Sequence, residues 1–386
     1  MALDLDTLNA LRDTIGRFVR ERLIPLEAEV AENDAIPEDV IEEMRELGLF
    51  GLTIPEEYGG IGLNMSEEVQ VAFELGYTSP AFRSLIGTNN GIGSQGLIID
   101  GTPEQKAKYL PRLATGELIS SFALTEPDVG SDAGSLKTTA RKDGDHYVLN
   151  GTKRFITNGP RAGLFTVFAR TDLDSKNAAG VSAFLVEAGT PGLSLGAKDK
   201  KMGQAGSYTC DVILEDCRVH KDQIIGLLEG QGFKTAMKVL DRGRLHISAI
   251  CVGAARRIID ETVQYAINRR QFGQSIADMQ LIQALLADSE AEAYAARCMV
   301  EETARRKDAG QRVSREAAST KMFASEMVGR VADRGVQVHG GAGYMQEYAV
   351  ERFYRDVRLF RIYEGTTQIQ QLVIARDMIK EAKLKG

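Results

Sequence analysis

The sequence predicts an α+β protein laid out in three successive segments: helical, then β, then helical. Three observations carry this. Apolar residues recur at helical spacing up to about residue 120, short apolar runs between turn residues fill 121–225, and long amphipathic stretches occupy 226–386. The expected division is an N-terminal α-helical domain over 1–120, a middle β domain over 121–225 and a C-terminal α-helical bundle over 226–386.

The first segment opens with "MALDLDTLNALRDTIGRFVRERL", an amphipathic helix with acidic residues early. It lacks a basic leader and an uninterrupted apolar run, so it is not expected to be a signal peptide. "IPEDVIEEMRELGLFGL" has helical spacing and should end at Gly48 or Gly51. In "SEEVQVAFELGY" Ser66 is the expected N-cap, and in "TPEQKAKYLPRLATGE" Thr102 caps and Pro103 takes the first turn.

In the second segment, "DHYVLNGTKRFITNG" reads as a strand, a turn at Asn150–Gly151 and a second strand, because Asn-Gly is a strong hairpin signal. "LFTVFART", "VSAFLVEA" and "CDVILEDCRV" are further strands. In the third, the stretches beginning at Gly232, Asp278 and Ser314 each exceed an ordinary helix in length, which suggests a bundle with apolar surface left for self-association.

Composition narrows the function. Of 386 residues, 43% are hydrophobic and 26% charged, an ordinary soluble balance that fills a sizeable core. The net charge of −7 argues against nucleic acid as a partner. Four cysteines without a C-x-x-C pair read as reduced thiols of a cytoplasmic protein, and four scattered histidines offer no metal site. No run of about 18 apolar residues exists to span a membrane. "GIGSQG", Gly91 to Gly96, has the spacing of a phosphate loop but follows no strand, so helix packing is the expected role.

Four stretches are candidates for chemistry. "FALTEPDVGSDAGSLKT", Phe122 to Thr138, is rich in small polar residues whose free N–H groups and hydroxyls suit a polar ring edge or a phosphate; it reads equally as a surface loop. In "KRFITNG", Phe155 and Thr157 are expected on one strand face with Ile156 on the other, an aromatic and a hydroxyl suited to a planar ring; taken alone the stretch reads more readily as a half-buried strand next to a turn. In "VQVHGGAGYMQEY", Gly340, Gly341 and Gly343 end a long helix and permit close approach of another chain or a ligand, or simply make a helix–helix turn. In "FRIYEGTTQIQ", Glu364 sits between two helices, as a cap, a surface charge or a base.

"FALTEPDVGSD", "RFITNG", "DRGR", "RRQFGQSI", "VHGGAGY" and "YEGTTQIQ", in this order, resemble the acyl-CoA dehydrogenase family over essentially the whole chain. The resemblance implies the short- or medium-chain type, with a helical domain, a middle β-sheet or barrel domain and a C-terminal four-helix bundle. It implies bound FAD, an acyl-CoA substrate, electron-transferring flavoprotein as acceptor and a homotetramer built as a dimer of dimers. It implies α,β-desaturation to a trans-2-enoyl-CoA, with Glu364 taking the α-proton and flavin N5 the hydride.

By the same resemblance Phe122, Leu124, Thr125, Gly130, Ser131, Phe155, Ile156 and Thr157 line the flavin, joined by Thr366 and Gln368. Phe155 stands where many members have Trp. Arg269, Phe272, Gln280, Gln337, Val338, Gly340 and Gly341 would meet the FAD of a neighbouring subunit. Ser131, Asp241, Arg244, Tyr363 and Gly365 would contact the substrate. Members with the base on the long helix carry an acid at the position of Gly243; this chain does not. Arg83, in "SPAFRSLIGTNN", resembles an arginine that holds the distal carboxylate in glutaryl-CoA dehydrogenases, and reads equally as a surface arginine at a helix start. An acyl-CoA oxidase, a flavin monooxygenase relative and a non-catalytic scaffold of the same fold are the remaining alternatives, the last two disfavoured by Glu364.

Overall fold

The computed structural model describes residues 2–175 and 177–385; Met1, Lys176 and Gly386 lie outside the described residues. Among the described residues seven α-helices come first: α1 (Leu5–Phe18), α2 (Ile24–Asn33), α3 (Glu38–Glu46), α4 (Met65–Leu75), α5 (Pro80–Thr88), α6 (Gln95–Asp100) and α7 (Pro103–Ala114). Their ends follow local chemistry. Asp4 caps α1 by accepting from Thr7 N at 2.8 Å, and the chain leaves α3 through Gly48 at φ 69°. Thr102 and Gln105 form a capping box at α7, with Pro103 in its first turn. At α4 the cap is Asn64, not Ser66: Asn64 and Glu67 satisfy each other's backbone N–H, and the Ser66 N–H and hydroxyl bond Asp308 instead. The "GIGSQG" stretch runs from a distorted helical turn into α6 and follows no strand end.

The middle of the chain forms a seven-stranded sheet from β1 (Ser120–Ala123), β2 (Thr139–Asp143), β3 (His146–Thr157), β4 (Leu164–Arg170), β5 (Val181–Glu187), β6 (Leu193–Leu195) and β7 (Thr209–His220). The order is β1-β4-β2-β3-β7-β6, with β5 pairing β4 antiparallel. Both faces of β4 and β5 are covered. Leu164 and Phe168 with Ala183 and Leu185 pack toward α6 and α7, while Phe165, Val167, Phe184 and Val186 pack toward β3 and β7.

The expected hairpin at Asn150–Gly151 does not form. β3 runs straight through both residues, and the actual reversal is at Gly144, φ 60°, between β2 and β3. Asn150 instead exchanges hydrogen bonds with Asp216 of β7 (2.9 and 3.1 Å), and the pairing slips one position before Gly151. Glycine is required there for another reason: φ is 150°, and a Cβ would lie 2.8 Å from Thr138 Cα. The Asn-Gly signal marks a close crossing of two strands, not a turn.

After α7 and the sheet come α8 (Gly232–Asn268), α9 (Gln280–Asp308), α10 (Ser314–His339), α11 (Ala349–Val357) and α12 (Thr367–Lys385). A two-residue-per-strand hairpin, Arg270–Gln271 with Gln274–Ser275, joins α8 to α9. The 37-residue α8 is buried along most of its length and shares one core with α1–α5 and α9–α11. The first and last thirds of the chain thus pack as one helical body, with the sheet against its side. Cys210, Cys217 and Cys251 are buried free thiols and Cys298 an exposed one. Among the described residues no helix is long and apolar enough to cross a membrane.

Gly151→Ala should therefore destabilise the protein by about 1–3 kcal/mol through overpacking against Thr138. A lowered thermal midpoint is the expected measurement, and an unchanged one would mean that β2 yields without cost.

Candidate active site

Between α11 and α12 the chain passes through two left-handed residues in succession, Glu364 at φ 56° and Gly365 at φ 87°. For glutamate that conformation costs on the order of 1–3 kcal/mol and persists only where surroundings impose it. Here Gln370 Nε2 donates to the carbonyls of Glu364 (3.1 Å) and Gly365 (2.9 Å), and Lys321 Nζ donates to the Gly365 carbonyl at 2.7 Å. With its carbonyls drawn onto α10 and α12, the turn presents the Glu364 side chain to a cavity. Oε2 is sealed from solvent without a hydrogen-bond partner, so Glu364 is not a surface charge. Burial raises its pKa above the ordinary carboxylate range, partly opposed by Arg83, Arg244 and Lys321. A Cβ on Gly243 would lie 2.6 Å from Oε2, so the bare backbone of α8 makes the room this carboxylate occupies.

The cavity is lined by α4, α5, the segment from Gly91 to Gln95, α8, the ends of β3 and β7, the loop around Gln204 and the segment from Leu359 to Glu364. Among the sequence candidates it brings together Arg83, Thr157, Tyr363 and Glu364. Arg83 is not a surface arginine: it is 7% exposed, and its Nε donates to His246 Nε2 at 2.9 Å. That fixes the neutral tautomer of His246, whose Nδ1 meets Glu68 Oε1 at 2.8 Å; Glu68 also pairs with Arg242 at 2.5 Å. Burial works against the Glu68 charge, but Arg242 and His246 prevail and hold its pKa at about 2. Burial, followed by the Arg83 charge, pushes His246 down. The Gln204 loop is pinned where its N–H and Nε2 reach the carboxylate and carbonyl of buried Asp356.

The two middle-domain segments lie side by side. Lys153, wholly buried, donates to the Leu124 carbonyl (3.2 Å) and to Glu126 (2.8 Å), while Arg154 N donates to the Thr125 carbonyl at 2.8 Å. Glu126 also accepts from both Lys137 N and Thr138 N, so the Phe122–Ser131 loop is clamped to β3. Burial is the main influence on Lys153 and lowers it to about 8 against the pull of Glu126. The expected alternation of Phe155 and Thr157 is interrupted: the pairing slips between Lys153 and Ile156, and Phe155 takes φ 59°. The slip leaves Ile156 buried, turns Phe155 out to 60% exposure under the Arg154 guanidinium, and brings Thr157 to the cavity. Gly130 and Ser131 are exposed, and Phe122 packs on Phe168.

Other candidates do not line the cavity. Arg244 is tied to Asp241 at 2.7 Å, and Asp241 also accepts from Ser314, so this acid points away from the cavity. Thr366 Oγ1 accepts from Ile369 N at the start of α12, and Gln368 is exposed. Arg269, Phe272 and Gln280 gather at the far end of α8, where Tyr265 stacks on His339 beside Gln337, Val338, Gly340 and Gly341. Phe272, at the tip of the small hairpin, is 93% exposed. About 26 residues of α8 separate Gly243 from Arg269, roughly 39 Å at helical rise, so the two clusters form no single site within one chain.

Sequence reasoning missed the buried polar partners: Glu68, Glu126, Lys153, His246 and Lys321. The available signal was a charged residue on an apolar helical stripe, as Lys321 is among Ala317, Ala318, Ala324 and Val328.

Comparison with known proteins agrees with this arrangement. The acyl-CoA dehydrogenase N-terminal, middle and C-terminal domain families match residues 6–117, 121–217 and 230–379. The chain is 44% identical over 372 residues to an acryloyl-CoA reductase (NADH) of Anaerotignum propionicum, covering 96% of this chain and 94% of the relative. It is 41% identical over 370 residues to a 3-(aryl)acrylate reductase of Clostridium sporogenes, covering 96% and 98%. It superposes on butyryl-CoA dehydrogenase from Megasphaera elsdenii with a TM-score of 0.93 at 34% identity, covering 98% and 100% of the two chains. With all three of its domains matched and its helical–β–helical order reproduced, the chain belongs to the acyl-CoA dehydrogenase family, FAD-dependent oxidoreductases acting on CH–CH donors.

Proposed function

We propose that this protein interconverts a saturated acyl-CoA and its trans-2-enoyl-CoA, with Glu364 as the group that takes the α-proton. The observation that carries the reading is the buried, unpartnered Glu364 Oε2 facing the same cavity as Thr157. A thioester acidifies Cα, but its proton still needs a positioned base. Glu364 takes that proton as the Cα–H bond breaks, and its own N–H donates to the thioester oxygen. Bound FAD supplies the acceptor for the hydride leaving Cβ. The residues present fit it: exposed Phe155 offers a stacking face, Thr157 a hydrogen bond beside the cavity, and the space at Gly130 is open, since a Cβ there would meet nothing within 4 Å. Tyr363 and Leu359 form part of the cavity wall, and burial raises the Glu364 pKa, which makes it a stronger base for the task. In the reverse direction protonated Glu364 returns the proton to Cα, so one arrangement serves a dehydrogenase or a reductase. Electron-transferring flavoprotein is the proposed electron partner.

A second reading is favoured by Arg83. A buried guanidinium in the cavity suits a substrate with a distal carboxylate, as in a dicarboxylyl-CoA. A panel of acyl-CoA thioesters scored by anaerobic bleaching of the flavin separates the two: preference for a plain alkyl chain supports the first, preference for a distal carboxylate the second.

The cluster at the far end of α8 supports self-association, with a tetramer as the proposed state. Exposed Phe272, Leu281 and Tyr344 surround residues too far from the cavity to serve it within one chain. Light scattering should give a multimer. A monomer that keeps full FAD occupancy would overturn this assignment.

Glu364→Gln keeps the side-chain size but cannot accept the α-proton. Single-turnover flavin bleaching should fall by about two to four orders of magnitude, with FAD still bound. Wild-type-like bleaching would remove Glu364 from the chemistry. The pH dependence follows from the raised pKa. The active form is the carboxylate, so the rate should fall with decreasing pH at values above the ordinary carboxylate range. The stability effect has the opposite sign. The folded protein holds the Glu364 proton more tightly than the unfolded chain, so its ionisation cost is absent below the ordinary value and complete above the raised one. Glu364→Gln should therefore raise the thermal midpoint at about pH 8 but not at about pH 4.

A further inference from the structure

Lys321 is wholly buried in the middle of α10, on the stripe formed by Ala317, Ala318, Ala324 and Val328. A fully buried lysine is rare and expensive unless it does something. Its one hydrogen bond among the described residues goes to the Gly365 carbonyl at 2.7 Å, in the turn that carries Glu364. We infer that Lys321 is the positioning residue for Glu364, its ammonium fixing the left-handed turn and setting a positive charge beneath the carboxylate. This inference rests on the reading of Glu364 as the α-proton base.

The surrounding charges single Lys321 out. The groups facing it are Glu364 from the turn, Cys251 and Arg244 from α8, and Glu326 from its own helix. Burial pushes the Cys251 thiol above the ordinary thiol range, so it stays neutral. Glu326 is engaged by Thr367 (2.7 Å) and Arg361 (2.7 Å), and Arg244 by Asp241 (2.7 Å). Glu364 is left as the anion that Lys321 answers. From the side of Glu364, the facing cations are Arg83 of α5, Arg244 of α8 and Lys321. Glu68, Arg242, His246 and Lys201 stand further round the cavity wall. Arg83 is committed to His246. Among the described residues only Lys321 both faces the carboxylate and holds the backbone of its turn. Burial lowers Lys321 to about 8, which leaves it charged throughout the range in which a carboxylate titrates.

The test compares Lys321→Met, which removes the charge and the bond, Lys321→Arg, which keeps the charge, and Gln370→Leu, which removes the two Gln370 bonds to the turn without changing charge. One readout is the pH profile of single-turnover flavin bleaching by a short acyl-CoA. The other is independent of turnover: infrared titration of the protonated Glu364 carboxyl, assigned by its loss in Glu364→Gln. In Lys321→Met both titrations should move to higher pH, and the limiting rate should fall about 10–100-fold as the base is misplaced. Lys321→Arg should bring the titration back toward wild type, and Gln370→Leu should lose rate without moving it. Where Lys321→Met does not fold, Lys321→Gln keeps a donor without the charge, and the same shift is required of it. Unshifted titrations, with only the thermal midpoint lowered, would make Lys321 a structural residue and overturn the inference. Wild-type bleaching in Glu364→Gln would instead overturn the base reading itself.

Discussion

The site depends on a backbone constraint at the junction of α11 and α12. Two successive left-handed residues point a carboxylate into a cavity while their carbonyls turn the other way. Nothing in the local sequence makes such a turn favourable for glutamate; Gly365 accepts it freely, Glu364 does not. The energy comes from neighbours that were folded for other reasons. α12 offers Gln370, α10 offers Lys321, and α8 offers the bare backbone of Gly243. Three helices must therefore be in register before the glutamate reaches its place, which is why the site lies against the common core of the helical body.

The cavity walls follow a second rule: charges inside are committed to one another. Arg83, His246, Glu68 and Arg242 form a continuous chain of contacts with every link at or below 2.9 Å. Such a network keeps its shape when water leaves, because few of its groups depend on solvent. Glu364 stands outside that network: its Oε2 is a buried acceptor without a hydrogen-bond partner, as the Tyr363 hydroxyl beside it is a buried donor without one. A buried carboxylate oxygen without a hydrogen-bond partner is a cost to folding, and it is the observation on which the proposed role of Glu364 rests.

Much of this was legible in the sequence, and the rest was hidden for identifiable reasons. Helical periodicity gave the long helices nearly to the residue, because α8, α9 and α10 each keep a buried stripe over many turns. Capping was legible where donor and acceptor stand three residues apart, as at Thr102, but at α4 the better cap Asn64 lies two residues before the serine that the pattern favours. Asn150–Gly151 misled because the glycine answers a neighbour, Thr138, that local pattern does not reveal. The alternation in "RFITNG" was broken by a pairing slip set by β7. The glutamate at a helix junction could be read from chain order, but not its burial, its strained φ or the lysine beneath it. Those depend on contacts that local pattern does not reveal, the Lys321 bond spanning 44 residues of chain.

The missing side chain at Gly243 has a consequence for the side chains this site can hold. A carboxylate at 243 and the present one at 364 compete for the same small volume, since even a methyl group at 243 would overlap Oε2. An acid at 243 would require the Glu364 carboxylate to swing aside, so the side chains at these two positions, 121 residues apart in the chain, are tied to one another by the same small volume.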